Sequence, residues 1–180
     1  MKRVKLWDKE FEISLPFADI QLAIKKMAEN MKTDLEGKET LFICVLNGAF
    51  MFAAELLKEI ELTDTEISFL KLASYSGINS TGEIKELIGI NEVITGRTVV
   101  ILEDIVDTGH TIKRVIEQVI AYGAKEVKIA TLLFKPDALK VDIRLDYVGI
   151  VIPNDFIVGF GLDYDRRGRN LKDIYTLIND

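Results

Sequence analysis

The sequence predicts an α/β fold, a mainly parallel twisted sheet flanked by helices on both faces, and two observations carry that prediction. Residues 41–46, 99–102, 126–134 and 147–152 are apolar runs with little polar alternation, as in strands of a parallel sheet covered on both sides. Between them lie segments whose apolar residues recur at helical spacing, and strand-helix alternation builds βαβ units.

The elements follow in order. Residues 16–30 place Phe17, Ile20, Ala23, Ile24 and Met27 on one stripe and turn Lys25, Lys26 and Glu29 outward, which predicts a helix. Residues 41–46 read as a buried strand, Asn47-Gly48 turns the chain, and 49–60 form the crossover helix. A third strand is expected over 66–73. From 74 to about 89 the chain is polar and carries Ser76, Gly77, Ser80, Thr81 and Gly82, so a mobile loop is expected, either a solvated hairpin or a lid that excludes water from a site. After the strand at 99–102, Ile112, Val115, Ile116, Val119 and Ile120 mark a helix from Thr111, with Gly123 at its left-handed stop. Strands at 126–134 and 147–152 follow, and the chain returns through 156–160. With no repeat, linker or low-complexity tract, residues 1–180 read as one domain.

Composition narrows the function classes. At 180 residues and 48% hydrophobic content the chain can bury a full core. A net charge of −6 gives no broad basic field, which argues against a nucleic-acid partner. Cys44 is the one cysteine and lies in the apolar run 41–46, so it reads as a buried, unreactive thiol. The basic N-terminus has no apolar stretch after it and no segment approaches membrane-spanning length, so a cytoplasmic location is expected. Asn79-Ser80-Thr81 matches a glycosylation sequon, incidental in that compartment.

The chemistry concentrates in residues 99–113, Val-Val-Ile-Leu-Glu-Asp-Ile-Val-Asp-Thr-Gly-His-Thr-Ile-Lys, which join an apolar strand to an amphipathic helix through a polar loop. Ligands of open α/β sheets bind beyond the carboxyl ends of strands, where unpaired N–H groups of the next helix face an anion. Thr108, Gly109 and Thr111 suit a phosphate, because their small side chains let it approach the backbone and two hydroxyls can donate. Glu103, Asp104 and Asp107 would repel a bare phosphate. A ribose, whose hydroxyls donate to Glu103 and Asp104, or a hydrated Mg²⁺ reconciles the two, and Asp107 is left to take a proton. The bland reading, acids that merely favour a helix start, explains any one of the three but not the run. Neither the Walker pattern nor a dinucleotide fingerprint is present; Gly159 and Gly161 lack the third glycine and the helix.

Other polar residues are ambiguous by type alone. Lys135 reads as a snorkelling surface lysine, Phe156 as core, and Asp163, Asp165, Arg166, Arg167 and Arg169 as a solvated turn. His110, the sole histidine, is expected to offer its backbone N–H rather than its ring.

The run 99–113 resembles the phosphoribosyl-diphosphate signature of the type I phosphoribosyltransferases. The resemblance extends to the 6-oxopurine branch, the hypoxanthine-guanine phosphoribosyltransferases, at Leu46-Asn47-Gly48, at Ser74-Tyr75, at Leu132-Leu133-Phe134-Lys135, at Ile152-Pro153 with Phe156-Ile157-Val158-Gly159, and at Leu162-Asp163-Tyr164 with Arg169-Asn170-Leu171. These pieces span roughly residues 40–175. The resemblance implies the type I fold, with a small hood formed by the terminal segments and a purine-recognition segment at about 152–170. It implies that Glu103 and Asp104 hold the ribose hydroxyls, that Asp107 is the general base toward the purine N7 proton, and that Thr108, Gly109, His110 and Thr111 hold the 5′-phosphate. Lys135 would bond the 6-oxo group, Phe156 would stack on the ring and Ile157 would give backbone contacts. Arg169 and the Asn47-Gly48 loop would hold pyrophosphate, Ser74 and Tyr75 would contact substrate from the loop, and Asp163 with Glu103 and Asp104 would bind Mg²⁺. Two positions depart from the pattern: Asn47 and Asp155 stand where many relatives have lysine. A homodimer or homotetramer is implied, with a 6-oxopurine and phosphoribosyl diphosphate as partners and no nucleic acid or membrane. A xanthine-preferring enzyme, and a regulator that keeps the fold to sense phosphoribosyl diphosphate or nucleotides, remain as alternatives.

Overall fold

The computed structural model describes residues 2–74 and 84–178. Its larger sheet has six strands. Thr65–Ser74 (β4), Thr40–Leu46 (β3), Thr98–Val106 (β6), Glu126–Phe134 (β7) and Tyr147–Val151 (β8) run parallel in that spatial order, and Ile84–Ile88 (β5) pairs antiparallel outside β4. Two helices, Phe17–Leu35 (α1) and Phe50–Ile60 (α2), pack on one face against Phe42, Cys44, Val100 and Leu102. On the other face His110–Ala121 (α3) packs with Leu41, Ile43, Val45, Val99 and Ile101. Alternate residues of β3 and β6 thus enter two separate cores, which is why neither strand shows polar alternation.

Three boundaries differ from the sequence expectation. The α1 stripe continues past Asn30 through buried Met31 and Leu35, one turn apart, so the helix runs further. β6 does not stop at Leu102 but continues to Val106, so Glu103 and Asp104 are strand residues, held by the sheet rather than by a loop. The loop expected over 74–89 is narrowed from both ends, because Ser74 closes β4 and Ile84–Ile88 is a strand. The rest of it, 75–83 with Tyr75, lies outside the described residues.

A second sheet of four antiparallel strands covers the carboxyl end of the first: Arg3–Leu6 (β1), Lys9–Leu15 (β2), Ile174–Leu177 (β10) and Ile157–Val158 (β9), in that order. Around it Phe11, Val158 and Tyr175 form a small separate core. This is the hood, and terminal segments build most of it.

Asp173 ties hood to core. Pro16, at the N-terminus of α1, provides no side-chain cap. The buried Asp173 carboxylate supplies one from the far end of the chain, accepting from Phe17 N at 2.9 Å and from Lys2 Nζ at 2.8 Å. The Lys2 hydrogen bond, then the Phe17 N–H, hold its carboxyl below the usual carboxylate range. A depressed folded value means that this stabilisation is complete above the unfolded value near 3.9 and is lost as pH falls through the folded one. Asp173→Asn is therefore expected to cost about 1 kcal/mol at neutral pH, about 3 °C in Tm, with the gap to wild type closing below about pH 4. Thermal melts across that range check it; a gap constant down to pH 2 removes the carboxylate as the cause.

Candidate active site

The carboxyl ends of β6 and β7 meet the underside of the hood. There β6 delivers Glu103 and Asp104, and the turn into α3 delivers Asp107, Thr108, Gly109, His110 and Thr111. Glu103, Asp107, Thr108, Gly109 and Thr111 line a cavity of about 240 Å³. The turn depends on Gly109 at φ +81, where a Cβ would stand 2.6 Å from Val141 Cγ2. Among the described residues no side chain caps α3, whose N-terminus opens at the cavity lined by Gly109, Thr111 and Ile112, as anion binding at a helix start requires. His110 is the first residue of α3 and is exposed.

The acidic pair is strongly desolvated. Glu103 Oε2 is buried with no hydrogen-bond partner among the described residues, and burial first, then the adjacent Asp104 charge, pushes its carboxyl well above the usual range. Burial raises Asp104 as well, although Ile105 N donates to its Oδ1 at 2.9 Å. An unpartnered buried oxygen is costly unless a ligand donates to it, which suits sugar hydroxyls. The Asp104 carboxylate lies against Gly48, where any Cβ would overlap it. Asn47-Gly48 is thereby drawn beside the acids, in the turn between β3 and α2 that follows a cis Leu46–Asn47 peptide.

Lys135 is not the snorkelling residue its type suggested. Only 7% of it is exposed; its ammonium donates to Asp155 O at 2.7 Å and lies 3.8 Å from Asp107 Oδ2. Phe156, which residue type would place in the core, leaves 47% of its surface open at the next position. Ile157 is buried in β9.

Arg169 and Asp163 are joined in an ion pair, with Arg169 Nη1 also donating to Gly161 O at 2.7 Å and Arg166 N donating to Asp163 Oδ2 at 2.6 Å. The turn read as solvated is therefore a local network. Asp163, Glu103 and Asp104 were expected to share a metal, but no group of three such side chains close enough to hold one occurs among the described residues. Asp163 is already satisfied by Arg169 and Arg166. The donors do fit a Mg²⁺ that keeps waters and takes one or two carboxylates beside substrate phosphates.

Sequence reasoning missed what Gly159 and Gly161 do. Both have positive φ, +103 and +99; a Cβ on Gly159 would overlap Asp173 O and one on Gly161 would overlap Gly48 O. Gly161 thus lets the hood touch the Asn47-Gly48 turn. The glycine pair was visible, but its partners lie far away in sequence.

Comparison with known proteins agrees with this geometry. The phosphoribosyl transferase domain family matches residues 17–165. The hypoxanthine-guanine phosphoribosyltransferase of Streptococcus thermophilus is 46% identical over 160 residues, covering 88% of this chain and 88% of that one. The crystal structure of a hypoxanthine phosphoribosyltransferase from Staphylococcus aureus superposes with a TM-score of 0.87 at 38% identity, over 93% of this chain and 91% of that one. A hypoxanthine-guanine phosphoribosyltransferase structure from Bacillus anthracis gives 0.84 at 36% identity, over 93% and 97%. With a central sheet of five parallel strands, a hood built largely from the termini, and an acid-rich strand leading into a phosphate-sized turn, the chain belongs to the phosphoribosyltransferase family.

Proposed function

We propose that this enzyme transfers the 5-phosphoribosyl group from 5-phospho-α-D-ribose 1-diphosphate to N9 of hypoxanthine or guanine, giving the nucleoside monophosphate and pyrophosphate. One observation carries the choice of base: a buried lysine ammonium set between the Asp107 carboxylate and the Asp155 carbonyl, beside a half-open phenylalanine ring. A 6-oxopurine offers a planar face for Phe156, a carbonyl oxygen for Lys135 and an N7 proton for a nearby carboxylate.

In the reaction the C1′–O bond to pyrophosphate breaks as the N9–C1′ bond forms. C1′ gains cationic character, and the purine becomes more acidic. Asp107 takes the N7 proton. Glu103 and Asp104 accept from the ribose hydroxyls, giving the buried Glu103 oxygen a partner. The 5′-phosphate sits on Thr108, Gly109, His110 and Thr111, where the N-terminus of α3 favours negative charge. Arg169 and the Asn47-Gly48 backbone face the leaving pyrophosphate. Mg²⁺ bound with the diphosphate supplies further charge neutralisation on the leaving group. Ile157 contributes backbone contacts to the base edge; of the two loop contacts, Ser74 is the last residue of β4 and Tyr75 lies outside the described residues.

The buried thiol of Cys44, whose pKa is pushed up to about 12 by burial, and the phosphorylated substrate suit a reducing cytoplasm. No helix among the described residues is long and apolar enough to cross a membrane. A homodimer or homotetramer is supported by Phe50 on α2 and Ile67 and Phe69 on β4, three exposed large apolar side chains; light scattering that gives a monomer mass removes this part.

Steady-state assays with hypoxanthine, guanine and xanthine, on wild type and Lys135→Met, test the proposal. Hypoxanthine or guanine is expected to be used, and Lys135→Met to lose about 10- to 100-fold in kcat/KM for the base, the value of a charge-assisted hydrogen bond, with little change in KM for phosphoribosyl diphosphate. Turnover of xanthine alone would reassign the base, and no nucleotide from any purine would leave a regulator.

A further inference from the structure

Four contacts lock the N-terminal hairpin onto the chain that follows Asp163, three of them on Tyr164 and one on Arg167, and Tyr164 in turn meets Phe156. Tyr164 and Phe156 meet edge to face, at 5.9 Å between centroids and 88° between planes. Phe11 lies 6.3 Å from Phe156 and 6.1 Å from Tyr164, closing an aromatic triangle. Tyr164 is itself held: its hydroxyl donates to Asp8 Oδ1 at 2.9 Å, and Lys9 Nζ lies 5.9 Å from its ring centre. Next to Asp8, Trp7 sits in the left-handed region at φ +56, with the Arg167 guanidinium 4.6 Å from its ring centre.

A half-exposed phenylalanine with nothing beside it would sample several rotamers, and binding a purine would cost the ordering of its ring. Edge-to-face contact removes that freedom in advance, because the positive rim of one ring prefers the negative face of the other. We infer that Tyr164 is a positioning residue for purine binding, fixing the Phe156 ring through this edge contact while the Asp8 hydrogen bond of the N-terminal hairpin fixes Tyr164. The inference rests on Phe156 being the stacking surface of the proposed transferase. It assigns to the β1–β2 turn, which touches no part of the phosphate cavity, an effect on the base alone.

Steady-state kinetics on Tyr164→Leu, Tyr164→Phe, Phe156→Ala and Tyr164→Leu/Phe156→Ala, with each substrate varied, separate the possibilities. Tyr164→Leu is expected to raise KM for hypoxanthine about 5- to 10-fold, the worth of one aromatic pair, with kcat and KM for phosphoribosyl diphosphate within about twofold. Tyr164→Phe keeps the edge contact and loses only the Asp8 bond, so a rise of about twofold is expected. In the Phe156→Ala background, Tyr164→Leu is expected to add nothing. If Phe156→Ala raises the hypoxanthine KM while Tyr164→Leu does not, the inference fails alone. If Phe156→Ala changes nothing, the stacking role fails and the inference with it. Equal rises in both KM values with a lowered Tm would make Tyr164 merely structural. Should Tyr164→Leu not fold, Tyr164→Phe and Asp8→Ala carry the same split: a rise confined to the hypoxanthine KM supports the inference, and no rise or equal rises overturn it.

Discussion

Asp107→Asn is expected to lower kcat by about 10²- to 10⁴-fold, the range for removing a general base, while KM for phosphoribosyl diphosphate changes little. The asparagine keeps the shape of the residue and cannot take a proton. Asp107 lies in the turn between β6 and α3, lining the cavity and 3.8 Å from the ammonium of Lys135. Amide substitution removes that ion pair as well and leaves the ammonium on Asp155 O alone, so KM for hypoxanthine is expected to move by only a few fold. Single-turnover measurements with saturating substrates isolate the chemical step. A normal rate in that experiment would remove Asp107 as the base, and a loss confined to KM for phosphoribosyl diphosphate would move it to substrate binding.

The second large effect lies outside the chemistry. Gly161→Ala places a Cβ on the Gly48 carbonyl oxygen and asks alanine to hold φ +99. The conformational cost alone is about 1–3 kcal/mol. Neither partner in the overlap is a flexible side chain, so the hood or the Asn47-Gly48 turn must shift. A stability loss of about 3 kcal/mol, roughly 6–12 °C in Tm, is expected. If Asn47-Gly48 holds the pyrophosphate as proposed, a displacement near 1 Å there is expected to cost about 10²-fold in kcat/KM for phosphoribosyl diphosphate. Differential scanning calorimetry and steady-state kinetics on one preparation test both parts. Wild-type values for each would show that the close approach carries neither stability nor function.

Much of the central sheet was legible because its signals are local. The runs 41–46 and 99–102 are apolar throughout, 129–134 is apolar but for Thr131, and the stripe from Ile112 to Ile120 marks a helix within a dozen residues. The hood was legible only in part. β1 and β2 alternate polar and apolar residues, with Val4, Leu6, Phe11 and Ile13 turned into the hood's own core, but that period-2 signal does not say what the pair joins, and β9 has only two residues, with Tyr175↔Val158 and Thr176↔Ile157 as its register. A strand as short as β9 is specified by partners from elsewhere in the chain rather than by its own pattern. The resemblance to phosphoribosyltransferases supplied the hood where periodicity did not.

The site divides in the same way. By itself the sequence determined that 99–113 combines acids with a phosphate-sized turn, because residue identity and order over fifteen positions fix which charges and small side chains are adjacent. Only the tertiary structure decided that Lys135 is buried and Phe156 half exposed. As residue types one reads as surface and the other as core; burial against Asp155 and Asp107, and partial exposure beside Phe11 and Tyr164, reverse both readings. The glycines at 159 and 161 changed meaning for the same reason, since a missing side chain signals close approach only once the approaching backbone, Asp173 or Gly48, is known. Local order determines which groups a turn can offer. Burial and pairing depend on segments that fold in from more than a hundred residues away, and those only three dimensions bring together.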